Sequence, residues 1–424
     1  KSFNSVNDAI KDLIKKTDSF PNHISLNHSE KVIERYKLIP EGGKLPIPEK
    51  LPKEIRRKNF GNTYVRLNGK GISSTLVPGN NAFPIHPILN RSLTPREAAR
   101  IQSFPDDHIF VGNRRQQCIL VGNAVAPLVA CKVALNLKKS LLSNNKYKNK
   151  DLISSKTLLE TKSNKSKKDI FNFIDFFAGA GGISIGLKQS GMNPVLASDF
   201  NNSVKQTHEL NFPNVPFVYG DIRDNDIKKK ILKKISGKKI HLVIGGPPCQ
   251  GFSIFGKRRF VKTKNYNPLE DDRNDLVKKY FEYIEIIKPD WIIMENVSGI
   301  LNLGGGIYID FIEKKLKSLK YNNFDYRIIN TADYGVPQKR KRFILIANKT
   351  NNLIPWPKPK YFSEPEDWQY PYRTVGECIT DLSTNKSQKV IKNHIPMAHS
   401  PEIIERYSYV EEGKKMDVEK LPKK

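Results

Sequence analysis

Cysteine is rare in this sequence and long apolar runs are missing, and both features narrow the class of protein. Its four cysteines are far apart and form no C-x-x-C pair, so neither a zinc site nor a disulfide framework is indicated. No run reaches the roughly eighteen apolar residues that a membrane span needs, and the residues from Lys1 onward lack a signal-peptide pattern. We therefore expect a cytoplasmic protein without a membrane span or a bound metal.

Acidic residues are also few relative to basic ones. The chain has 72 Lys and Arg against 43 Asp and Glu, which gives a net charge of +29. Such an excess favours a polyanionic partner, and nucleic acid is the leading candidate. A general bias towards Lys and Asn would produce the same excess, so charge alone does not identify the partner.

Beyond residue 168 the apolar pattern alternates between lengths typical of strands and of helices. With 424 residues, the chain can bury a layered core. Two late strands, 326–330 and 343–347, are expected to pair as an antiparallel edge. The alternation predicts an α/β fold with a doubly wound, mostly parallel sheet. Earlier strands are expected at 172–177, 195–198, 241–244 and 291–294, and helices after the first strand, at 276–287 and around 309–319.

Two further segments concern the organisation of the chain. Residues 136–168 are rich in Lys, Asn and Ser, and this composition predicts a linker. Near the two ends, Asn22-His23-Ile24 and Ile33-Glu34-Arg35-Tyr36 recur with the same spacing as Asn393-His394-Ile395 and Ile404-Glu405-Arg406-Tyr407. Two copies are too few for a solenoid.

Cys249 stands on a short, stiff loop directly after an apolar strand. Residues 245–253 read Gly-Gly-Pro-Pro-Cys-Gln-Gly-Phe-Ser. A loop at the carboxyl end of a parallel strand is where such folds bind substrates, so Cys249 is a candidate nucleophile. Its thiol would need activation, because an unperturbed cysteine pKa is about 8.5. The alternative is a buried structural cysteine.

A glycine turn at 178–182 lies between a strand and a helix, an arrangement that suits a nucleotide-like ligand or simple packing. Asp199, at the end of the next strand, could bind ribose hydroxyls, and the adjacent Phe200 could cover an adenine. Asp221 and Ile222 could lie at the edge of the same base.

Two charged patterns fall at the same edge of the predicted sheet. Glu295 ends an apolar strand, where burial would raise its pKa and let it donate a proton; a solvent-facing glutamate is the alternative. The run Gln338-Lys339-Arg340-Lys341-Arg342 alternates, so that Gln338, Arg340 and Arg342 share one face.

Together the glycine turn, the loop with Cys249, the strand end at Glu295 and the arginine motif at 338–342 resemble sequence blocks of the S-adenosylmethionine-dependent DNA (cytosine-5)-methyltransferases. Two more blocks, residues 91–105 and 121–127, are similar to the last conserved blocks of that family. In most members these two blocks follow the arginine motif, whereas here they precede the glycine turn. The sequence therefore resembles a circularly permuted member, and the terminal repeat suggests that two tandem gene copies fused. It departs from the family pattern at Cys118 and Ala126.

The resemblance implies a role for each matched residue. Cys249 would attack the cytosine ring, Glu295 would protonate it, Arg342 would hold the base oxygen and Arg340 would brace the site. It also implies double-stranded DNA as partner, base flipping, and a restriction-modification system with a separate cognate endonuclease. Residues implied to bind S-adenosylmethionine are Phe177, Gly179, Gly181, Asp199, Phe200, Asp221, Ile222, Leu276 and Asn123. Residues implied to contact DNA are Thr75, Ser253, Lys257, Arg258 and Arg259.

Two alternative functions stay open. One is a methyltransferase that acts on cytosine in tRNA, and the other is a non-catalytic DNA-binding or specificity subunit.

By the same resemblance the chain divides into six parts. The expected parts are an N-terminal repeat copy with the start of the target-recognition region (1–52), a target-recognition segment (53–90), permuted family blocks that complete the catalytic domain (91–135), the linker (136–168), the catalytic cofactor-binding domain (169–350), and a connection with the second repeat copy (351–424).

Overall fold

A seven-stranded sheet organises the molecule. In this computed structural model the described residues are 30–39, 66–77, 83–87, 92–142, 170–248, 275–350, 353–375 and 378. The strand order is β3-β2-β1-β4-β5-β7-β6, with the first five strands parallel and the last two antiparallel to their neighbours. The strands are β1 Asn172–Phe176, β2 Asn193–Asp199, β3 Phe217–Tyr219, β4 Leu242–Gly245, β5 Trp291–Val297, β6 Asn323–Asn330 and β7 Lys341–Asn348.

Helices connect these strands and precede them. Two 3-10 helices, Ser298–Gly306 and Thr331–Tyr334, and a small parallel ribbon of β8 Tyr361–Phe362 with β9 Tyr370–Pro371 complete the described elements. The α-helices are α1 Glu30–Lys37, α2 Pro95–Ile101, α3 Arg114–Asn123, α4 Pro127–Leu142, α5 Gly182–Gln189, α6 Asn202–Asn211, α7 Asn225–Ile235, α8 Asp275–Ile287 and α9 Ile307–Ser318.

Apolar side chains cover both faces of the sheet. On one face α7, α8 and α9 bury their apolar stripes, as Ile227 and Ile231 show, against β1, β4 and β5. On the other face α4 and α5 pack over Phe173, Leu242 and Ile293. The fold is therefore a doubly wound, mostly parallel α/β fold of the Rossmann-like methyltransferase type, which confirms the predicted fold class.

Helices α4 and α5 approach each other closely because glycines lie between them. A Cβ on Gly182 would lie 2.1 Å from the backbone oxygen of Val125, and one on Gly186 would lie 2.4 Å from that of Pro127. Only glycine fits at such distances. The contact joins a segment from before the predicted linker to the helix that follows the glycine turn.

The predicted linker begins too early. Helix α4 runs to Leu142, so residues 136–142 are helical. Leu137 is fully buried, and Lys138 Nζ donates to the Ser190 carbonyl at 3.2 Å. Packing against α5 therefore overrides the polar composition. Residues 143–168 lie outside the described residues.

The stretch Arg114–Leu141 is long and apolar enough to cross a membrane by length and composition alone. It consists of two helices, α3 and α4, separated by the non-helical residues 124–126. Because 61% of its apolar window is buried inside the protein, we assign it to the core.

Only part of the segment predicted for target recognition is described. Ser73 pairs with Gln338 through backbone hydrogen bonds, and the Val375 N–H donates to the Gly71 carbonyl at 2.7 Å. Residues 71–73 thus lie against Val375 and against the start of the arginine motif, just before β7. In the first repeat copy, Ile33 and Tyr36 of α1 are buried. The second copy lies outside the described residues.

Candidate active site

A cavity of ≈ 530 Å³ opens at the carboxyl ends of β1, β2, β4 and β5. This is the edge where open α/β sheets bind ligands, and the volume suits a cofactor together with a base. Its walls include Asn123, Phe177, Gly179, Asp199, Phe200, Gly246, Pro247, Pro248, Glu295 and Arg342. The cavity is therefore lined by residues that precede segment 143–169 in the sequence and by residues that follow it.

The glycine turn forms one wall through an unusual backbone path. Phe177, Gly179 and Gly181 all have positive φ angles, of 59°, 53° and 80°. For Phe177 this conformation is strained, because its Cβ crowds the backbone. The turn ends at the N-terminus of α5, where backbone N–H groups point away from the helix.

Asp199 holds this turn in place. Its Oδ2 accepts from the Gly179 N–H at 3.1 Å, and its Oδ1 accepts from the Asn201 N–H at 3.0 Å. Burial raises the pKa of Asp199, although backbone hydrogen bonds from its neighbours oppose the shift. The adjacent Phe200 is 61% exposed beside the cavity, as a stacking surface for a flat ring would be.

Glu295 and Arg342 form the charged part of the cavity. In the β5–β7 register Glu295 lies opposite Ile344 and Val297 opposite Arg342, so the two side chains are diagonal neighbours on one face. Arg342 Nε lies 3.0 Å from Glu295 Oε1. Burial raises the pKa of Glu295, and the positive charges of Arg342 and Arg340 act against that rise. The carboxyl group is therefore suited to hold a proton.

Arg340 connects the two sides of the site. It is buried, and its Nη2 donates to the Gly122 carbonyl at 2.8 Å, next to Asn123 at the end of α3. Lys339 and Lys341 on either side of it are exposed, which confirms the predicted alternation across residues 338–342. A residue from the arginine motif thus fixes the backbone beside the cavity residue Asn123.

The loop that leads to Cys249 is also held. Asn296 is buried, and its Nδ2 donates to the Pro247 carbonyl at 3.2 Å. Gly246 lies close to the charged pair, because a Cβ there would be 3.0 Å from Glu295 Oε2 and would displace that oxygen slightly. Pro248 lines the cavity and directly precedes Cys249 in the sequence.

Four residues expected to bind the cofactor lie outside the walls of this cavity. Gly181 caps α5, and Leu276 packs against the central core. Asp221 is paired with Arg223 at 2.6 Å, and Ile222 is buried with its carbonyl accepting from the Tyr283 hydroxyl. Their expected contacts with the cofactor remain predictions.

The predicted nucleophile Cys249 lies outside the described residues, and so do four of the five expected DNA contacts, Ser253, Lys257, Arg258 and Arg259. Thr75 is described, and its hydroxyl donates to the Lys339 carbonyl at 2.8 Å. The expected DNA-contact residue therefore borders the arginine motif.

Sequence reasoning assigned no role to several residues of the site. Asn201 and Ser203 follow Asp199 in the cavity wall. Asn296 was noted only as the residue next to Glu295 and was given no role of its own. Its bond to Pro247 depends on the pairing of β4 with β5. A polar residue that interrupts a buried strand was the available signal.

Two relatives and one solved structure show what the chain is similar to. It is 31% identical over 245 residues to the type II methyltransferase M1.HphI of Haemophilus parahaemolyticus, covering 57% of this chain and 61% of that protein. It is 35% identical over 222 residues to the type II methyltransferase M.XorII of Xanthomonas oryzae pv. oryzae, covering 50% of this chain and 47% of that protein. The chain thus spans about half to three fifths of these relatives. A mutant DNMT2 of Spodoptera frugiperda is 25% identical, with a TM-score of 0.34 over 47% of this chain and 57% of that chain.

The family model for C-5 cytosine-specific DNA methylase matches in two stretches, residues 1–139 and 171–423. These stretches contain the glycine turn, the cysteine loop, Glu295 and the arginine motif. By this match over most of its length, the chain belongs to the C-5 cytosine-specific DNA methylase family.

Proposed function

We propose that the chain is a DNA (cytosine-5)-methyltransferase of a restriction-modification system. It would transfer a methyl group from S-adenosylmethionine to C5 of a cytosine flipped out of a specific site in double-stranded DNA. The observation that carries the proposal is the single cavity that joins the glycine turn and Asp199 to the Glu295–Arg342 pair. A cognate restriction endonuclease would act separately.

The residues at one end of the cavity fit S-adenosylmethionine. Asp199 offers carboxylate oxygens to ribose hydroxyls, and the exposed Phe200 ring offers a face to adenine. The turn at 177–181 brings backbone close to the ligand, while Asn123 closes the opposite wall. When bound, the cofactor supplies an electrophilic methyl group.

The chain's own residues would activate the cytosine. In the proposed reaction the Cys249 thiolate forms a bond to C6, and electron density moves towards C5 while N3 takes a proton from Glu295. Arg342 would bind the base oxygen and hold Glu295 in position. Once C5 carries the methyl group, the C5 proton passes to water, the bond between C6 and Sγ breaks to restore the thiolate, and N3 returns its proton to Glu295, which restores the aromatic ring.

The target base has to leave the duplex, because C5 and C6 cannot be reached inside the stack. Lys257, Arg258 and Arg259 would contact phosphates, and Ser253 and Thr75 would contribute further DNA contacts. The neighbouring segment 53–90 would recognise the target sequence.

We also propose that the chain is a circularly permuted member of its family. Support comes from the packing of α3 and α4 directly beside the glycine turn. Both helices precede residues 143–169 in the sequence, whereas the turn follows them. Domains whose termini lie close together tolerate such a change of chain order.

An assay with labelled S-adenosylmethionine tests the proposed function. The wild-type chain is expected to label duplex DNA and not tRNA, and Cys249→Ala is expected to abolish labelling. Sequencing of the modified DNA would identify the site. Label in tRNA alone would show an RNA enzyme, and no label in either substrate would favour a non-catalytic DNA-binding subunit.

A further inference from the structure

Four neighbouring strands carry a lysine at the edge of the sheet opposite the cavity. In the strand order β4-β5-β7-β6, Trp291 lies opposite Leu242 of β4 and Asn348 of β7. Asn348 in turn lies opposite Asn323 of β6, so the four strand ends are level. Because neighbouring strands lie about 4.8 Å apart, a row along these ends extends over roughly 14 Å. The lysines of this lysine row are Lys239, Lys288 and Lys320, each three residues before a strand begins, and Lys349, directly after β7 ends.

The loops that carry the lysine row contact one another. The Tyr321 hydroxyl donates to the Pro289 carbonyl at 2.6 Å, which joins the loop before β6 to the loop before β5. The Lys349 N–H donates to the Asp290 carbonyl at 3.3 Å, and Lys349 Nζ lies 4.7 Å from the centroid of the Tyr321 ring. These contacts hold the loops together, so the lysines stay close to one another.

Little negative charge accompanies the lysine row. In the four loops that carry it, five lysines are exposed and a single residue, Asp290, is acidic. The loops are residues 236–241, 288–290, 319–322 and 349–350. Asp290 Oδ1 accepts from Lys239 Nζ at 2.8 Å. Partial burial lowers the pKa of Lys349, Asp290 opposes this shift, and the charges of Lys288 and Lys239 lower the pKa further. The lysines are therefore close enough to repel one another, and a bound polyanion would relieve the repulsion.

The chemistry of the lysine row fits nucleic acid better than another protein. Lysine ammonium groups bind phosphates as point charges. A row of roughly 14 Å covers about four base-pair steps of a duplex, each of which adds a phosphate on both strands. A protein interface would need large apolar or aromatic anchors, and none of the four described loops exposes a large apolar side chain.

The lysine row and the cavity lie at opposite ends of the same strands. Strand β5 begins at Trp291 beside the row and ends at Val297 in the cavity wall, and its seven residues span roughly 20 Å. Duplex DNA is stiff over about 150 base pairs, so a duplex held at the cavity cannot bend back to the row within a short distance. The row is therefore placed to bind a second duplex segment.

We propose that the lysine row is a second DNA-binding surface, which binds a further duplex segment, whatever its sequence, while the first is held at the cavity. It would let the protein pass directly from one DNA segment to another during the search for its target site. The choice of DNA as the partner rests on the proposed function.

The test measures how fast a short fluorescent duplex dissociates as unlabelled duplex is added. Direct transfer needs a complex with two duplexes, so for wild type the dissociation rate constant should rise with competitor concentration, by about fivefold at high competitor. A variant that combines Lys288→Gln, Lys320→Gln and Lys349→Gln should match wild type without competitor. With competitor, its rate constant should change by less than about 1.5-fold, because the second duplex has lost its phosphate contacts.

A matched control removes the same charge elsewhere. Lys229 and Lys230 of α7 and Lys314 of α9 are exposed and lie outside the lysine row. The combined variant Lys229→Gln, Lys230→Gln and Lys314→Gln should respond to competitor like wild type, because a general loss of positive charge is not enough to stop direct transfer.

The inference is overturned if the wild-type rate constant does not depend on competitor, or if the row variant depends on it as strongly as wild type. An equal loss of the dependence in the control variant also overturns it. Methyl transfer on the same duplex separates this inference from the proposed function. A chain that shows the competitor dependence but methylates no DNA would contradict the proposed function and would support the second surface.

A measurement on the unmodified protein covers the case of a variant that does not fold. Chemical acetylation of lysines is followed by mass spectrometry, first with one equivalent of duplex and then with an excess. Acetylation of Lys288, Lys320 and Lys349 should slow about threefold only when the excess is added. Unchanged acetylation, or protection by tRNA and not by duplex DNA, contradicts the inference.

Discussion

The segments on either side of residues 143–169 contribute differently to one site. The upstream segment, 92–142, supplies Asn123, backbone carbonyls and apolar packing. The downstream segment, 170–350, supplies the turn, Asp199 and the Glu295–Arg342 pair. Besides apolar packing, contacts between the segments include backbone against glycine at Gly182 and an arginine-to-carbonyl bond from Arg340. Such contacts depend on close approach and not on chain order, so the proposed circular permutation would leave the site unaltered.

The junction between the segments should be the most sensitive point. Gly182→Ala would place a Cβ 2.1 Å from the Val125 oxygen and 3.2 Å from Phe104 Cζ. Because a backbone oxygen cannot move easily, we expect a loss of about 3 kcal/mol in the free energy of unfolding, together with loss of cofactor binding. Urea unfolding measures the first effect. Gly71→Ala is the control, since its nearest neighbour is 3.5 Å away. Equal stability of wild type and Gly182→Ala would disprove the close junction.

Substitution in the downstream segment should separate chemistry from folding. Glu295→Gln keeps the size of the side chain and removes the proton, so we expect kcat to fall 10²- to 10⁴-fold, roughly, with the affinity for S-adenosylhomocysteine within about threefold. Asp290→Asn, at the start of β5 where Asp290 pairs with Lys239, should leave kcat unchanged. A decrease in kcat of less than about threefold for Glu295→Gln would exclude Glu295 as proton donor.

Two buried groups, Asp175 in the downstream segment and His108 in the upstream segment, should contribute to stability with opposite pH dependence. Burial raises the pKa of Asp175 from 3.8 to about 7. Between these values the folded state binds a proton that the unfolded state lacks, so this group's contribution to stability falls as pH rises to about 7. For His108 the pKa falls from 6.5 to about 3, so its contribution is complete above 6.5 and is lost as pH decreases towards 3.

Asp175→Asn isolates the contribution of Asp175. Relative to wild type, its free energy of unfolding should increase by about 1 kcal/mol per pH unit between pH 5 and 7 and then level off. Ser184→Ala, which removes the 2.6 Å hydrogen bond to Asp175 Oδ2, should keep the wild-type slope. A pH-independent difference between wild type and Asp175→Asn would show that Asp175 titrates normally.

Cutting the chain between the segments should have the smallest effect. A protease site inserted near residue 150 would allow the peptide bond to be broken after folding. Because the packing of α4 on α5 and the bond from Arg340 to Gly122 join the segments without the connection, methyl transfer should stay within about twofold after cleavage. Loss of activity while the two fragments remain associated would show that residues 143–169 have a direct role.

The sequence predicted the central layer of this fold better than its margins. The apolar runs of β1, β4 and β5 were clear because each is buried on both faces. The three-residue strand β3 was missed since so short a run carries little pattern. Helix α7 was missed although Ile227, Ile231 and Ile235 recur at four-residue spacing.

The same contrast holds in the site. The alternation of Arg340 and Arg342 could be predicted because it is local in the sequence. The bond of Asn296 to Pro247 could not be predicted, since it joins residues that lie on different strands and 49 positions apart in the chain. The start of the linker was misplaced because composition does not report the packing of Leu137.

The most direct test of the account is a covalent trap at Cys249. Duplex DNA in which 5-fluorocytosine replaces cytosine has no C5 proton to lose, so a thiolate that has added to C6 cannot be eliminated after methylation. With S-adenosylmethionine present, mass spectrometry should find a methylated DNA adduct on the peptide containing Cys249, and none with Cys249→Ala. Methylation of ordinary DNA without such an adduct, or an adduct on another residue, would contradict the account.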